Sequence, residues 1–419
     1  LLLLIGTMVP NPTRDRVGVE HVANPLGYAR WQIWQSSLHA IREHPFGVGL
    51  GLYQYVYPGY ALPIEDQIAR YGKIAQTAHN EYLQMTVELG VAAFLVFIWG
   101  VIKLAQVVAR ILRRRLEEWQ RGIVTGVSGA IASILVHAAV DSNLHEPAVA
   151  IVLTLCTSIM ISASWFSACA AEKWYMILVR SRVVWVLGSI LIIGLLAVYI
   201  GRIGFAWVAF EKGSQEAKQM HFEKEVAWYR TAIALDPGKA LYHSSLAAAY
   251  FQNFKQNGDN RLAQAVLTEL RYAIALNPVD GRLLGLLGNV YVALFSSGVP
   301  MNVFPNSQNE RPGGWLPLAV LAYERAIALE PFAPFYRFEL ARLYLALGHH
   351  KKAEECIRQA VAIEPNFLPG RELLGQLYLE HGQLDAAREQ YLEIVQRRDR
   401  YAGWVKDAFE ERFLKVDVA

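Results

Sequence analysis

The chain has 419 residues, of which 54% are hydrophobic and 18% are charged, and its formal net charge is +3. This composition is too apolar for an ordinary soluble protein of that length, and the small net charge gives no basis for bulk nucleic-acid binding. The three cysteines lie far apart, so the sequence offers neither a disulfide framework nor a cysteine metal site.

The chain begins with LLLLIGTMV, an apolar run without the basic front of a signal peptide. We therefore predict that residues 1–9 end a transmembrane helix and that the chain is the C-terminal part of a larger membrane protein. Residues 10–88 then form a loop between spans, and a loop of this length usually carries function.

The loop contains an amphipathic helix, predicted over residues 28–44. Trp31, Trp34, Leu38 and Ile41 recur at steps of three and four residues, as on one helical face at a membrane interface. Arg30 stands at the edge of this face, where a guanidinium can bind phosphate groups through two nitrogens. The alternative is that Arg30 only extends its charge from the interface into water.

Alternate glycines follow in HPFGVGLGLY. Gly47 and Gly49 allow backbone amides to approach another group closely, so they could cradle an anion. A nucleotide-binding loop is excluded by context, because no strand precedes the glycines. The alternative is a simple turn, which the glycines by themselves favour.

The stretch QTAHNEYLQ leads into an apolar run. We expect a helix that starts near Thr77 and holds His79, Asn80 and Glu81 in its first turn. The unpaired amides there attract anions such as a pyrophosphate and disfavour a protonated imidazole. His79 could then accept a proton. The alternative, which the local sequence alone favours, is that the three residues are a polar cap on a transmembrane helix.

Four apolar runs are long enough to cross a bilayer. They cover approximately residues 89–109, 122–140, 147–168 and 183–207. Basic connections at 110–121 and 172–182 are expected on the cytoplasmic side, because positive charge is retained there. By alternation the loop 10–88, the turn near 141–147 and everything after about 210 lie in the periplasm.

The turn after the second run reads HAAVDSNLHE. His137, Asp141 and His145 are spaced by four residues and could bind a metal on one helical face. We favour the other interpretation, in which His137 and Asp141 line an outward-facing cavity, since ionisable residues at membrane depth are usually functional.

The C-terminal half contains repeats. AIALDP, AIALNP, AIALEP and AVAIEP end at Pro237, Pro278, Pro331 and Pro365, and the last interval of 34 residues is that of tetratricopeptide repeats. The longer intervals predict insertions near 253–260 and 296–317. We expect about five repeats over 211–399 and a capping helix over 400–419. They would either grip a peptide or partner protein or form a rigid spacer.

Three motifs in this order give the N-terminal half a resemblance to a known family. They are Arg30 and Trp34 before HPFGVGLG, His79-Asn80 followed by Gly90, and His137 with Asp141. Residues 24–165 resemble the superfamily of O-antigen ligases and polymerases, which are bacterial inner-membrane glycosyltransferases.

The resemblance implies an all-helical, metal-independent enzyme without a cofactor, which transfers a glycan from undecaprenyl pyrophosphate to an acceptor hydroxyl in the periplasm. Arg30 would hold the pyrophosphate and His79 would be the general base. Asn80 would orient His79 or the sugar, while His137 and Asp141 would shape the cavity. We also include Glu81, Gly47 and Gly49 among the candidate substrate-binding residues.

The complete prediction is an all-α protein with a polytopic membrane domain, four helices of which span 89–210, followed by a tetratricopeptide solenoid. The acceptor could be lipid A core, a growing glycan or a protein, and the repeats favour a protein partner. The alternative is a non-catalytic, membrane-anchored adaptor for envelope or polysaccharide assembly.

Overall fold

The computed structural model describes residues 25–65, 67–71, 75–114, 116–168, 182–300 and 314–416, and within these ranges it contains helices and no strand. The chain divides into two compact units. The first comprises Leu1–Ile64 with Lys73–Arg182, and the second comprises Glu65–Gly72 with Val183–Ala419. The predicted helix end at 1–9 and most of the basic connection 172–182 lie outside the described residues.

The first unit contains five described α-helices and two 3-10 turns. The helices are α1 (Pro25–Glu43), α2 (Tyr53–Val56), α3 (Glu81–Leu112), α4 (Glu118–His137) and α5 (Pro147–Ala168), and the turns are Tyr57–Gly59 and Asn143–His145. Buried Ile111, Val124, Ile131 and Met160 form an apolar cluster that joins α3, α4 and α5.

Helix α3 is interrupted at Gly90, whose backbone is non-helical with φ 84° and ψ 170°. Beyond this break the helix exposes large apolar side chains such as Leu95, Val96 and Trp99. Among the described helices, Glu81–Leu112 and Val186–Lys218 are long and apolar enough to cross a membrane. Helices α4 and α5 lie at the other two predicted spans, 122–140 and 147–168. Among the described helices these two do not meet the length and composition expected of a membrane span.

The second unit is a series of helices in sequence. They are α6 (Arg182–Lys218), α7 (Phe222–Leu235), α8 (Ala240–Asn257), α9 (Asn260–Leu276), α10 (Gly281–Ser296), α11 (Trp315–Leu329), α12 (Pro334–Ala346), α13 (His350–Ile363), α14 (Leu368–Glu380), α15 (Leu384–Tyr401) and α16 (Ala408–Leu414). One large apolar core extends from α7 to α14, as expected when each helix pair buries its face against its neighbour.

The two predicted insertions have different structures. Residues 253–257 continue α8, which ends at the left-handed Gly258, and Asp259 caps α9 through its bond to the Arg261 amide. The extra residues of this repeat therefore lengthen two helices, which are separated only by Gly258 and Asp259. The second insertion does separate helices, because residues 297–314 connect α10 to α11; of these, 301–313 lie outside the described residues.

Matched small and large side chains set the closest approach within the helix pairs. Ten residues after the repeat prolines stand Gly288, Ala341 and Gly375. The Cβ of an alanine at 288 would lie 2.6 Å from Cε1 of the Tyr323 ring. In the next repeat the position of Tyr323 is taken by Ile357, and there Ala341 and Ile357 are both fully buried.

We predict that Gly288→Ala lowers the free energy of unfolding by about 1–3 kcal/mol through overpacking. Tyr323 cannot withdraw, because it is 1% exposed and its hydroxyl donates to Asn289 Oδ1 at 2.7 Å. Thermal unfolding of the full chain in detergent measures the loss.

Gly375→Ala is the matched control, since its nearest ring atom in half-buried Tyr391 lies 3.1 Å away. This variant should lose clearly less stability than Gly288→Ala. Equal losses at the two glycines would contradict the packing argument.

Candidate active site

The candidate site begins at the N-terminus of α3, which lies later in the sequence than predicted. Asn80 is the N-cap, and its Oδ1 accepts the Leu83 amide at 3.0 Å. His79 precedes the cap with a left-handed φ of 48°. The expected helix start near Thr77 is therefore wrong. Of His79, Asn80 and Glu81, only Glu81 lies in the first turn of the helix, and the left-handed backbone at His79 turns the chain just before the cap.

Glu81 fixes this helix end to the turn that follows α4. Its carboxylate is buried, and Oε1 accepts the amides of Leu144 at 2.8 Å and His145 at 3.2 Å. Its own amide donates to Ala138 O at 2.9 Å. Because Glu81 is occupied inside the protein, the geometry gives it a positioning role, and the expected substrate contact is not supported.

The same turn brings Asp141 next to His79. The distance between His79 Nδ1 and Asp141 Oδ1 is 3.5 Å. Nδ1 is buried and makes no hydrogen bond at this geometry. Catalytic hydrogen bonds are often long in unliganded proteins and shorten when substrate is bound. An imidazole and a carboxylate are therefore placed as a pair, although they lie 62 residues apart in the sequence.

Arg30 and His137 complete the cluster. The Arg30 guanidinium donates from Nη1 to the carbonyl of Val140 at 3.2 Å, one residue before Asp141. His137 Nε2 lies 3.9 Å from Asp141 Oδ2. The structure thus brings together Arg30, His79, His137 and Asp141, which are residues of three separate sequence motifs.

Asp141 carries the negative charge of this cluster. The Ser142 amide donates to its carboxylate at 2.8 Å and, together with His79 and the positive charge of Arg30, holds the pKa of Asp141 below its usual value. The carboxylate therefore stays ionised at neutral pH. It can hold Nδ1 of His79 as a donor and leave Nε2 free to accept a proton.

His145 does not join this cluster. Its Nδ1 lies 2.9 Å from Glu81 Oε2, and its Nε2 lies 3.0 Å from Gln84 Nε2. Both ring nitrogens are occupied on the other side of the turn. The metal site considered for His137, Asp141 and His145 is therefore not supported by this geometry.

Sequence reasoning missed two positioning residues. The indole of Trp34 donates from Nε1 to Ala78 O at 3.0 Å, next to His79, and Gln84 Oε1 accepts the Ala78 amide at 3.1 Å. The helical spacing of Trp34 indicates only an interfacial ring. Gln84 could have been recognised from its polar side chain in the first turn of an apolar helix, because a buried side-chain amide needs a hydrogen-bond partner.

The glycine-rich loop packs against the break in α3. The amides of Val48 and Gly49 donate to the carbonyls of Val87 and Glu88, both at 2.9 Å, and Gly47 donates to His44 O. In return the amide of Val91 donates to Pro45 O at 2.9 Å. These amides are not free to bind an anion, so the substrate-binding prediction for Gly47 and Gly49 is replaced by a packing role.

Comparison with known protein families gives one match in each part of the chain. Residues 2–98 match the family model "O-Antigen ligase", and residues 334–367 match "Tetratricopeptide repeat". The N-terminal part of the chain is therefore similar to O-antigen ligases, and one C-terminal helix pair is similar to a tetratricopeptide repeat. The first match includes Arg30, His79 and Asn80 and ends before His137 and Asp141. No curated protein sequence matches the chain.

Several solved structures resemble part of the chain. A MamA crystal structure is 18% identical, covers 48% of this chain and 97% of its own, and has a TM-score of 0.36. Pseudomonas aeruginosa pilF is 18% identical, with coverages of 50% and 81% and a TM-score of 0.37. TTC0263, a thermophilic TPR protein from Thermus thermophilus, is 23% identical, with coverages of 47% and 97% and a TM-score of 0.34. Similarity at this level says nothing about function.

We predict that Gly47→Ala strongly destabilises the first unit. The added Cβ would lie 2.5 Å from the carbonyl oxygen of Glu88, and φ at Gly47 is +87°. Both the clash and the left-handed backbone oppose the substitution, at a combined cost of about 3 kcal/mol. The melting temperature of the full chain in detergent reports the loss.

Gly51→Ala is the matched control in the same loop. Its φ is +74°, yet no heavy atom lies within 4 Å of the added Cβ. It should show only the backbone cost of about 1–2 kcal/mol. A Gly47→Ala protein as stable as Gly51→Ala would show that the loop does not approach α3 so closely.

Proposed function

We propose that the protein transfers a glycan from an undecaprenyl-pyrophosphate carrier to an acceptor hydroxyl at the periplasmic face of the inner membrane. The observation that carries this proposal is the convergence of Arg30, His79 and Asp141 at the start of α3. A guanidinium suits a pyrophosphate, and an imidazole paired with a carboxylate suits a general base. The match to the O-antigen ligase family supports the same reaction class.

In the proposed reaction the acceptor oxygen attacks the anomeric carbon of the lipid-linked sugar. The bond between that carbon and the pyrophosphate oxygen breaks as the new glycosidic bond forms. The hydroxyl proton goes to Nε2 of His79, whose Nδ1 is held by Asp141. Arg30 stabilises the negative charge that develops on the leaving pyrophosphate. Asn80 caps the helix and thereby fixes the backbone at His79.

His137 is assigned a supporting role. The Nδ2 of Asn143 lies 3.2 Å from Nδ1 of His137, and because this amide nitrogen can only donate, Nδ1 accepts in this contact while Nε2 faces Asp141 Oδ2 at 3.9 Å. His137 therefore helps to hold the carboxylate in place. The alternative of a non-catalytic adaptor gives no reason for these charged groups to converge.

We predict that His79→Ala lowers glycan transfer by about 10²- to 10⁴-fold, the range for removal of a general base. Arg30→Ala should lose about 10²-fold or more, the cost of removing one group that stabilises developing charge. Transfer from the lipid carrier is measured in membranes that contain the full-length protein.

Matched controls stand on the same helix as Arg30. His39 and Arg42 are both exposed on α1, away from the contacts described above. His39→Ala and Arg42→Ala should transfer at the wild-type rate. If His79→Ala or Arg30→Ala also transfers at that rate, the mechanism is wrong and the adaptor becomes the better explanation.

The membrane orientation gives a separate prediction. After the native cysteines are replaced by serine, single cysteines are introduced at Leu384 in α15 and at Trp119 in α4, which are 67% and 65% exposed. A membrane-impermeant maleimide should label Leu384→Cys from the periplasm. It should label Trp119→Cys only after the inner membrane is broken. The reverse pattern would overturn the proposed periplasmic placement of the repeats.

The acceptor stays open among lipid A core, a growing glycan and a protein hydroxyl. The repeats favour a protein partner, either as acceptor or as an assembly scaffold. The glycan profile of a deletion strain separates these possibilities, since each predicts the loss of a different product.

A further inference from the structure

A short segment of the loop 10–88 packs as part of the second unit, which contains the repeats. Residues 65–72 group with Val183–Ala419, whereas the loop on either side groups with the first unit. The part of this segment that contacts the repeats is Gln67–Tyr71, which contains no helix. Its backbone polar groups need partners, and they find them on the repeats.

Glu364 holds the backbone of the segment. Its Oε2 accepts the Arg70 amide and its Oε1 accepts the Tyr71 amide, both at 2.8 Å. Asn366 donates from Nδ2 to the carbonyl of Gln67 at 2.9 Å. Three backbone groups of the segment are therefore bound by two side chains of one repeat. This recognition does not depend on the side chains of the segment.

Two side chains of the segment are bound as well. Ile68 is 2% exposed and shares an apolar cluster with Phe367, Tyr401 and Phe413. The ring of Tyr71 stacks on Phe332, with 4.4 Å between centroids and 5° between planes. The two anchors are three residues apart in the sequence, and both are apolar or aromatic groups that favour burial.

The preceding repeat shows that this arrangement is not a general property of the helix pairs. Glu330 occupies the position of Glu364 one repeat earlier, and its Oε2 accepts the hydroxyl of Tyr336 at 3.0 Å. In the last repeat the position of Tyr336 is Gly370. The carboxylate of Glu364 has lost this internal donor, and the loop segment supplies two amides in its place.

The position of Glu364 is costly without these amides. The side chain is 1% exposed, and burial raises its pKa to about 7 while the amides of Tyr71 and Arg70 oppose the rise. A buried carboxylate without donors would be strongly destabilising. The bound segment therefore satisfies a group that the repeat itself leaves unpaired.

We propose that the last two helix pairs and α16 form a binding site for an extended peptide, and that its occupant is the chain's own segment Gln67–Tyr71. The site reads an aliphatic residue followed at the third position by an aromatic residue. It binds two successive amides at the second and third positions after the aliphatic residue, and one carbonyl just before it. The repeats thereby hold a peptide from the loop that carries the candidate active site.

Hydrogen-exchange mass spectrometry of the full chain in detergent tests the occupant. In the wild-type protein the amides of Arg70 and Tyr71 should exchange about tenfold or more slowly than free amides. Glu364→Ala should remove this protection. Glu355→Ala changes an exposed glutamate of the same repeat and should leave it intact. Unprotected amides at 70 and 71 in the wild-type protein would overturn the proposal.

A second variant leaves the residues of the repeats unchanged. Ile68→Asp changes only the segment, so it should release the segment and leave the site empty. A fluorescent synthetic peptide with the sequence EDQIARYGK, residues 65–73, should then bind the Ile68→Asp protein at least about tenfold more tightly than the wild-type protein, in which the tethered copy competes. The same peptide with Asp in place of Ile should not bind. Equal binding to both proteins, or binding to neither, would overturn the proposal.

Discussion

The first unit depends on one buried carboxylate, that of Glu81. It accepts two backbone amides of the turn at 144–145 while its own amide donates to Ala138, so the N-terminus of α3 and the end of α4 are tied at both ends of the turn. Hydrogen bonds to a charged group contribute about 1.5–3 kcal/mol each, more than neutral ones. This is what keeps Asp141 next to His79.

The sequence predicted the elements better than their contacts. Period-3.6 patterns located α1 and the apolar helices, and the 34-residue spacing located the repeats, because both signals are local. The residues at the candidate site were also found, through the order of their motifs. The pairing of His79 with Asp141 and the contact of Arg30 with Val140 could not be predicted, since they join residues more than 60 positions apart in the sequence. Glu81 and the glycines resembled ligand-binding residues, yet their polar groups are used within the protein.

Helix boundaries predicted from local sequence can also be changed by tertiary contacts. Thr77 is an acceptable N-cap, but the actual cap is Asn80, because the amide of Ala78 is taken by Gln84 and its carbonyl by Trp34. In the same way NFKQNGDN contains turn-forming residues, yet five of its residues lengthen α8. Tertiary partners outweigh propensities of this size, which are at most about 1 kcal/mol per residue.

The interruption of α3 at Gly90 divides the helix into two parts with different surroundings. Residues 81–89 are held by the loop Pro45–Gly49 and by Glu81, whereas the exposed apolar rod begins after Gly90. A non-helical residue interrupts the helical phase, so the orientation of the first part does not fix the direction in which side chains of the second part point. The second part can therefore present exposed apolar side chains such as Leu95, Val96 and Trp99 without turning the residues that the loop holds.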